Sequence, residues 1–342
     1  MSVFAVAGTD PQVEPGIAPA ISVRDLVHRY DSRTALKGVS FEVRHAEIFG
    51  LLGPNGSGKT TLFRILSTLI APAGGRAFIL GNDAVKQASQ LRREIGVVFQ
   101  EQSIDVKLTA AENLMHQGHL YGMRGRALRV RIHEVLERVG LADRAKDRAE
   151  TFSGGMQRRL ELAKGLLHGP RVLLLDEPTT GLDPGARRDL WQYLRILRDE
   201  ERVSMLVTTH LMEEAERCDR LVILNEGQVV AVGTPAELKR EIGGDVIVLE
   251  SKEPEALALR IRSRFNLDSR AIGTQVRLEK ENGHRFITEL MESFPGEIDA
   301  ISIAKPSLED VFIRRTGHRF WAEHAQDEFA TETRGHGGSR EE

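Results

Sequence analysis

The sequence has little cysteine, no long apolar run and almost no net charge, and each scarcity excludes a class of protein. A single cysteine, Cys218, excludes an internal disulfide framework and fits a reducing compartment. No apolar run approaches the ~20 residues that a membrane helix needs. With 47 basic and 50 acidic side chains the net charge is −3, so we expect no nucleic-acid partner. The N-terminus lacks the basic and apolar regions of a signal peptide, so we expect the protein to stay in the cytoplasm.

The length and patterning of the chain predict four segments of different character. At 342 residues there is room for one large domain and a smaller one. Residues 1–20 hold several prolines and no periodicity, so we expect a flexible arm. Residues 21–240 alternate apolar strands with helices, which predicts an α/β domain, and a small α+β domain follows over 244–317. The charged, glycine-rich residues 318–342 are predicted to be a disordered tail.

The order of elements in the larger domain indicates a mostly parallel sheet with helices on both faces. Val172–Leu175 is continuously apolar, as a central parallel strand should be. An alternating pattern from Ile21 predicts an antiparallel β subdomain, and residues from about 101–165 form a helical insert. In the smaller domain we expect the order β-α-β-α-β, closed by a helix over Ser307 to Arg315.

One glycine-rich stretch between a strand and a helix carries the clearest chemistry. The apolar run Ile48–Leu52 precedes it and the helical pattern Leu62–Leu66 follows it, an order that makes a phosphate cradle. Its glycines let several backbone N–H groups point at one anion, and the helix adds its positive N-terminal end. Lys59 is expected to bind the β- and γ-phosphates, and the Thr60 hydroxyl to ligate Mg²⁺. The predicted phosphate-binding residues are Gly53, Pro54, Asn55, Gly56, Ser57, Gly58, Lys59, Thr60 and Thr61.

Polar residues end three further strands and suit phosphate hydrolysis. Asp176 ends an apolar strand at the edge where an open α/β sheet binds ligands, so it is the expected anchor for Mg²⁺. Glu177 follows it and suits a general base for attack on the γ-phosphate. His210 is placed to position Glu177 and water, and Gln100 to sense Mg²⁺ or water through its amide. Each of these alone fits an ordinary core or solvated residue. Combined with the phosphate loop, they predict a nucleotide-hydrolysing site.

A second helix start has the features of an anion-binding terminus. Ser153, Gly154 and Gly155 precede a helical pattern from Arg158 to Leu167, and a serine N-cap with two glycines exposes helix N–H groups. An ordinary capped helix is the alternative. Two phosphate-binding helix starts far apart in one chain suggest that the second serves a nucleotide held by another copy.

These motifs resemble the ATP-binding subunit of ATP-binding cassette (ABC) transporters. The resemblance covers about residues 21–240, with the motifs in the family's order. The phosphate loop resembles Walker A, and Val172–Asp176 resembles Walker B. Phe152–Met156 resembles the signature motif, with Phe and Met in place of its usual Leu and Gln edges.

The resemblance implies a role for each site residue. Glu177, His210 and Lys59 become catalytic, and Asp176, Thr60 and Gln100 hold Mg²⁺. The resemblance also implies three ATP contacts outside the phosphate loop. They are Tyr30, which would stack on the adenine, Gln100 in the Q-loop and Asp183 in the D-loop. Ser153, Gly154 and Gly155 contact the nucleotide of the partner copy.

Two segments are similar to one group within the family, the daunorubicin-resistance and nodulation-export group of ABC-2 type systems. They are the signature helix sequence from Phe152 to Ala163 and the ending Pro306–Ile313. This similarity implies an exporter of drugs, lipids or glycans, working with a separate ABC-2 type permease at the cytoplasmic face of the membrane. It also implies a head-to-tail dimer that sandwiches two ATP molecules, with residues 101–125 as the docking surface for the permease.

The alternative is a soluble ABC ATPase acting in DNA repair or translation. Such proteins carry two cassettes, zinc modules, coiled coils or basic arms. This sequence has one cassette, no cysteine cluster, no heptad run and an acidic balance, so transport is the favoured interpretation. The identity of the cargo does not follow from any residue in the chain.

Overall fold

The structure is a computed structural model that describes residues 18–320. Most of the predicted arm, residues 1–17, and most of the predicted tail, residues 321–342, lie outside the described residues. Within the described part, none of the helices combines the length and apolar composition that crossing a membrane requires.

The strands up to residue 233 form two sheets. They are β1 (Ile21–Tyr30), β2 (Arg33–Val43), β3 (Ile48–Leu52), β4 (Gly74–Ile79), β5 (Asn82–Asp83), β6 (Ile95–Val98), β7 (Val172–Asp176), β8 (Ser204–Thr209), β9 (Arg220–Asn225) and β10 (Gln228–Gly233). The core sheet has the order β10-β9-β3-β8-β7-β6, and its pairs are parallel except for β10 with β9. β3, β7 and β8 are buried along their whole length, which explains their continuous apolar runs. The second sheet, β2-β1-β4-β5, is antiparallel.

Helices cover this sheet and form the insert. They are α1 (Lys59–Leu66), α2 (Ala88–Glu94), α3 (Ala110–Leu120), α4 (Gly125–Arg138), α5 (Gly154–Leu166), α6 (Pro184–Asp199), α7 (Met212–Ala215) and α8 (Pro235–Arg240). α3, α4 and α5 share one core cluster, with Leu114, Leu128 and Leu162 buried inside it. The mostly parallel sheet, the antiparallel β subdomain and the helical insert confirm the predicted fold class.

The elements that follow α8 form a third sheet, of four strands, with its own helices. They are β11 (Asp245–Glu250), α9 (Pro254–Phe265), β12 (Ser269–Ile272), β13 (Gln275–Lys280), α10 (Gly283–Ser293), β14 (Ala300–Ala304) and α11 (Leu308–Thr316). The strand order is β12-β13-β11-β14 with every pair antiparallel, a ferredoxin-like β-α-β-β-α-β arrangement. The predicted order β-α-β-α-β was wrong by one strand. β12 is only four residues long and pairs with β13 through a tight turn, so it leaves little periodic signal.

The last helix packs against the core sheet rather than only closing the small domain. Leu308 and Phe312 of α11 are fully buried in one cluster with Leu221 and Ile223 of β9. Phe320, which the sequence assigned to the tail, is 2% exposed and stacks edge-on against Phe312, with ring centroids 4.9 Å apart. α11 therefore joins the two parts of the chain.

Candidate functional site

The loop between β3 and α1 requires glycine at the positions where the sequence has it. A Cβ at Gly53 would lie 2.5 Å from both the carbonyl oxygen of Leu224 and the hydroxyl of Ser57. Gly58 has a φ of +105°, and a Cβ there would lie 2.7 Å from the carbonyl oxygen of Ala35. No side chain fits at these two positions, so the loop curls tightly at the N-terminus of α1.

Lys59 lies inside this curl. It is 5% exposed, and its Nζ donates to the carbonyls of Gly53 (2.7 Å) and Pro54 (3.0 Å). Burial lowers the pKa of Lys59, against the opposing effect of the Glu177 and Asp176 charges. The loop residues differ in exposure: Gly53, Ser57, Lys59 and Thr61 are buried, Pro54 and Gly58 half-buried, and Asn55, Gly56 and Thr60 exposed.

Asp176 is held at the end of β7 by a residue that the sequence reasoning missed. The register pairs Asp176 with Thr208 of β8, and the Thr208 hydroxyl donates to Asp176 Oδ1 at 2.5 Å. The same hydroxyl accepts a hydrogen bond from the backbone N–H of Glu177 at 3.0 Å. Burial raises the pKa of Asp176, while the Thr208 hydrogen bond opposes that shift. One hydroxyl therefore positions both predicted acidic groups.

The structure brings Glu177, His210 and Gln100 together at one end of the core sheet. His210 Nδ1 lies 2.9 Å from Glu177 Oε1, and Gln100 Nε2 donates to Oε2 at 3.4 Å. The Thr180 hydroxyl also donates to Oε2, at 3.2 Å. Burial alone would raise the pKa of Glu177, but the hydrogen bond with His210 and the nearby positive charge of Lys59 outweigh it, and the pKa is lowered. Glu177 therefore stays ionised and able to accept a proton.

Ser153 and Asp183 cap two adjacent helices. The Ser153 hydroxyl accepts from Met156 N at 3.3 Å at the start of α5. Asp183 accepts from Gly185 N (2.9 Å) and from the next N–H at the start of α6, and these bonds lower its pKa. A Cβ at Gly155 would lie 2.9 Å from the Cβ of Ala186, so glycine lets the two helix starts approach each other. Gly154 has open space around it.

Tyr30 ends β1 with 42% of its surface exposed, its ring edge-on to His28 at 4.6 Å. Arg33, on the next strand, donates from Nη2 to the carbonyl of Gly56 at 3.0 Å. This bond links the β1–β2 hairpin to the phosphate loop. Arg33 carried no signal in the sequence, because only the packing of the hairpin brings it to Gly56.

The donor set fits ATP and Mg²⁺. At Gly53 and Gly58 the loop has room for backbone but not for a side chain. The Lys59 ammonium donates to loop carbonyl oxygens, and an anion can replace them as its partner. Within residues 18–320 no group of three or more His, Cys, Asp or Glu side chains could hold a metal alone. A hydroxyl at Thr60 and a carboxylate at Asp176 instead suit Mg²⁺, which takes one or two protein oxygens and completes its shell with phosphate and water.

Comparison with known proteins identifies the family to which this chain belongs. Residues 36–180 match a family model described as "ABC transporter", and residues 233–316 match one described as "ATP-binding protein DrrA1-3-like, C-terminal domain". The daunorubicin resistance ATP-binding protein DrrA3 of Streptomyces coeruleorubidus is 37% identical over 308 residues, covering 87% of this chain and 96% of the relative. The chain belongs to the ABC transporter ATP-binding proteins.

Two other relatives of this ABC protein have comparable coverage. The Nod factor export ATP-binding protein I of Burkholderia orbicola is 40% identical over 310 residues, covering 88% of this chain and 98% of the relative. The linearmycin resistance ATP-binding protein LnrL of Bacillus subtilis is 36% identical over 306 residues, covering 87% and 98%.

Solved structures share the fold of its larger part. The cbiO1 protein of Clostridium perfringens, part of the ABC transporter complex cbiONQ, has a TM-score of 0.61 and 26% identity, covering 72% of this chain and 96% of that one. The dimeric bacterial ABC transporter cassette MJ0796 has a TM-score of 0.57 and 28% identity, covering 63% and 98%. These findings confirm the predicted resemblance, and as an ABC ATP-binding protein the chain is an ATPase that powers transport. They do not favour the soluble repair or translation alternative.

Proposed function

We propose that this ABC protein powers a membrane exporter as a head-to-tail dimer with two ATP molecules at the interface. One observation carries the proposal. A single protomer holds two separate features: a cluster in which Glu177 contacts His210 and Gln100, and a capped helix start at Ser153. A second copy would bring its own Ser153 helix start to the phosphate held by the first.

Each predicted site residue has a part in this scheme. The phosphate loop and Lys59 bind the β- and γ-phosphates, and Tyr30 stacks on the adenine. Thr60, Asp176 and Gln100 would hold Mg²⁺, which would supply charge neutralisation at the phosphates. Glu177 accepts a proton from the attacking water, because its carboxylate is ionised and its two oxygens are held by neighbours.

The cycle follows from which contacts the γ-phosphate makes. While ATP is bound, the phosphate joins Lys59 of one protomer to Ser153, Gly154 and Gly155 of the other, so the dimer is closed. Hydrolysis removes that bridge and permits opening. Asp183 caps α6, and Ala186 in the first turn of α6 lies against Gly155, so the D-loop lies near the helix start that would cross the interface.

We propose residues 101–125 as the docking surface for an ABC-2 type permease at the cytoplasmic face of the membrane. One apolar side chain there stands out from the surface: Leu120 is 82% exposed. The segment follows Gln100 directly, so a change at the nucleotide reaches the partner through a short stretch of chain. The relatives are named for resistance to daunorubicin and linearmycin and for Nod factor export. Their names support an exported drug, lipid or glycan as cargo.

Replacing Glu177 with glutamine tests the dimer and the base together. We expect ATP hydrolysis to fall by about 10²–10⁴-fold, the usual contribution of a general base. Binding should persist, because the loop and Lys59 are intact. Light scattering should then detect a dimer with ATP and Mg²⁺ and a monomer with ADP. Glu213→Gln, an exposed carboxylate on α7, is the matched control and should hydrolyse normally.

A variant that hydrolyses ATP at the parental rate would refute the assignment of Glu177. A variant that binds ATP but stays monomeric would refute the sandwich dimer. Co-purification of the full chain with its membrane partner, and loss of that partner on Leu120→Asp, tests the docking surface.

A further inference from the structure

Arg158 is the fifth residue of α5, the helix that Ser153 caps. Its side chain is 5% exposed, although it carries a full charge. Among residues 18–320, the guanidinium donates to four backbone carbonyls and to no carboxylate. The acceptors are Pro178 (Nε, 2.7 Å), Phe99 (Nη1, 2.7 Å), Asp176 (Nη2, 3.1 Å) and Glu177 (Nη2, 3.4 Å).

These carbonyls belong to two separate segments of the site. Three of them follow one another along the chain through Glu177, and the fourth belongs to Phe99, the residue before Gln100. Glu177 has a φ of +43°, a left-handed conformation that a residue with a side chain adopts only at a cost. Carbonyls on both sides of the Glu177 Cα are therefore tied to one rigid planar group.

Further residues on the same face of α5 form hydrogen bonds with the segment after Gln100. Glu161, three residues on and 3% exposed, accepts from Ile104 N at 2.7 Å and from the Ser103 hydroxyl at 2.9 Å. Lys164, a further three residues on, donates to the Ser103 carbonyl at 2.6 Å. Residues three apart share a helix face, so one stripe of α5 holds the chain on both sides of Gln100.

We propose that Arg158 is a positioning residue for hydrolysis. Its guanidinium fixes the backbone that aims the Glu177 carboxylate and the Gln100 amide at each other, and it anchors both to the helix that begins at Ser153. A guanidinium offers five donors in a fixed plane, which suits several carbonyls at once, whereas a lysine ammonium is a single point. The inference rests on the proposed role of Glu177 as base.

Arg158→Met and Arg158→Lys test this role, and Arg159→Met is the matched control. Arg159 is the next residue of the helix and bonds only the Val139 carbonyl among the hydrogen bonds described for it. We expect kcat for ATP hydrolysis to fall about 10–100-fold in both Arg158 variants, the effect of misplacing a reacting group by about 1 Å. The affinity for a non-hydrolysable ATP analogue should change less than about threefold, because no phosphate contact is removed.

Arg158→Lys keeps the buried charge, so it decides the matter if Arg158→Met does not fold. A folded Lys variant with kcat within twofold of the parent would overturn the proposal. Parallel losses of kcat and analogue affinity would also overturn it, since they indicate a general structural role. The ATP-induced dimer of the Glu177→Gln variant gives an independent readout. Its absence would refute the sandwich dimer, whereas its presence with an unchanged Arg158→Lys rate would refute only the positioning role.

Discussion

Replacing Thr208 with valine removes one hydroxyl from between the two acidic groups of the site. Valine has nearly the same shape as threonine, so packing in β8 is kept. Two buried groups lose their partner: the Asp176 carboxylate loses a donor, and the Glu177 N–H loses an acceptor. Each buried polar group left unpaired costs about 1–3 kcal/mol, so for the two groups we expect a total loss on the order of 2–6 kcal/mol of folding stability.

The same substitution should weaken the response to Mg²⁺. The Thr208 hydrogen bond counters the rise that burial imposes on the pKa of Asp176, so its loss raises that pKa further and leaves the carboxylate less available. It also frees the carboxylate to rotate. Partners that orient metal ligands contribute about 10–100-fold to metal affinity, so half-saturation by Mg²⁺ should rise by about tenfold or more.

The assay is ATP hydrolysis over a Mg²⁺ titration at fixed ATP, with thermal unfolding of the same samples without nucleotide. Thr208→Ser is the control, because it keeps the hydroxyl and loses only a methyl group. The serine variant should need Mg²⁺ at close to the parental concentration. Equal Mg²⁺ half-saturation in the valine and serine variants would refute the reasoning.

Two further predictions concern stability. Asp176→Asn should raise the melting temperature of the nucleotide-free protein at pH 8. Burial raises the pKa of Asp176 in the folded state, so its ionisation destabilises the folded protein as pH rises from the unfolded value near ~3.9 through the folded-state pKa. The gain from asparagine should therefore be full at pH 8 and shrink toward pH 4. A lower melting temperature at pH 8 would contradict the reasoning. Phe312→Ala should cost about 3–5 kcal/mol, because the ring is fully buried between α11 and the core sheet. Leu259→Ala, at an exposed position, is the control and should cost less than about 0.5 kcal/mol of folding stability. Equal melting temperatures for the two variants would refute the packing role of α11.

The parts of the site that could be predicted from sequence are those written in consecutive residues. Three motifs combine a local conformation with its chemistry, so they can be recognised without knowing the fold: the phosphate loop, the Asp176–Glu177 pair and the Ser153 helix start. Their mutual arrangement followed from a general rule: strand ends of a parallel sheet converge at one edge. His210 and Gln100 reach Glu177 for that reason.

The supporting residues could not be predicted, because their roles depend on pairings between distant segments. Thr208 looks like one more residue of a buried strand, and only the register of β7 with β8 places its hydroxyl beside Asp176. Arg158 has the sequence context of an exposed helical arginine, and its acceptors come from loops 18 to 59 residues away. The missed strand β12 has the same cause, since four residues become a strand only when β13 lies beside them.

The position of α11 has a consequence for the order of events during synthesis. The apolar cluster around Leu52 and Ile223, which lies under the phosphate loop's own strand, is completed by Phe312 and Phe320. The ribosome adds residues at about 5–20 per second, and earlier segments fold first. The ATP-binding part of the chain, up to residue 240, is therefore synthesised several seconds before Phe312 and Phe320, and until then its apolar cluster stays exposed. During that interval the growing chain exposes to water an apolar surface that the finished protein hides.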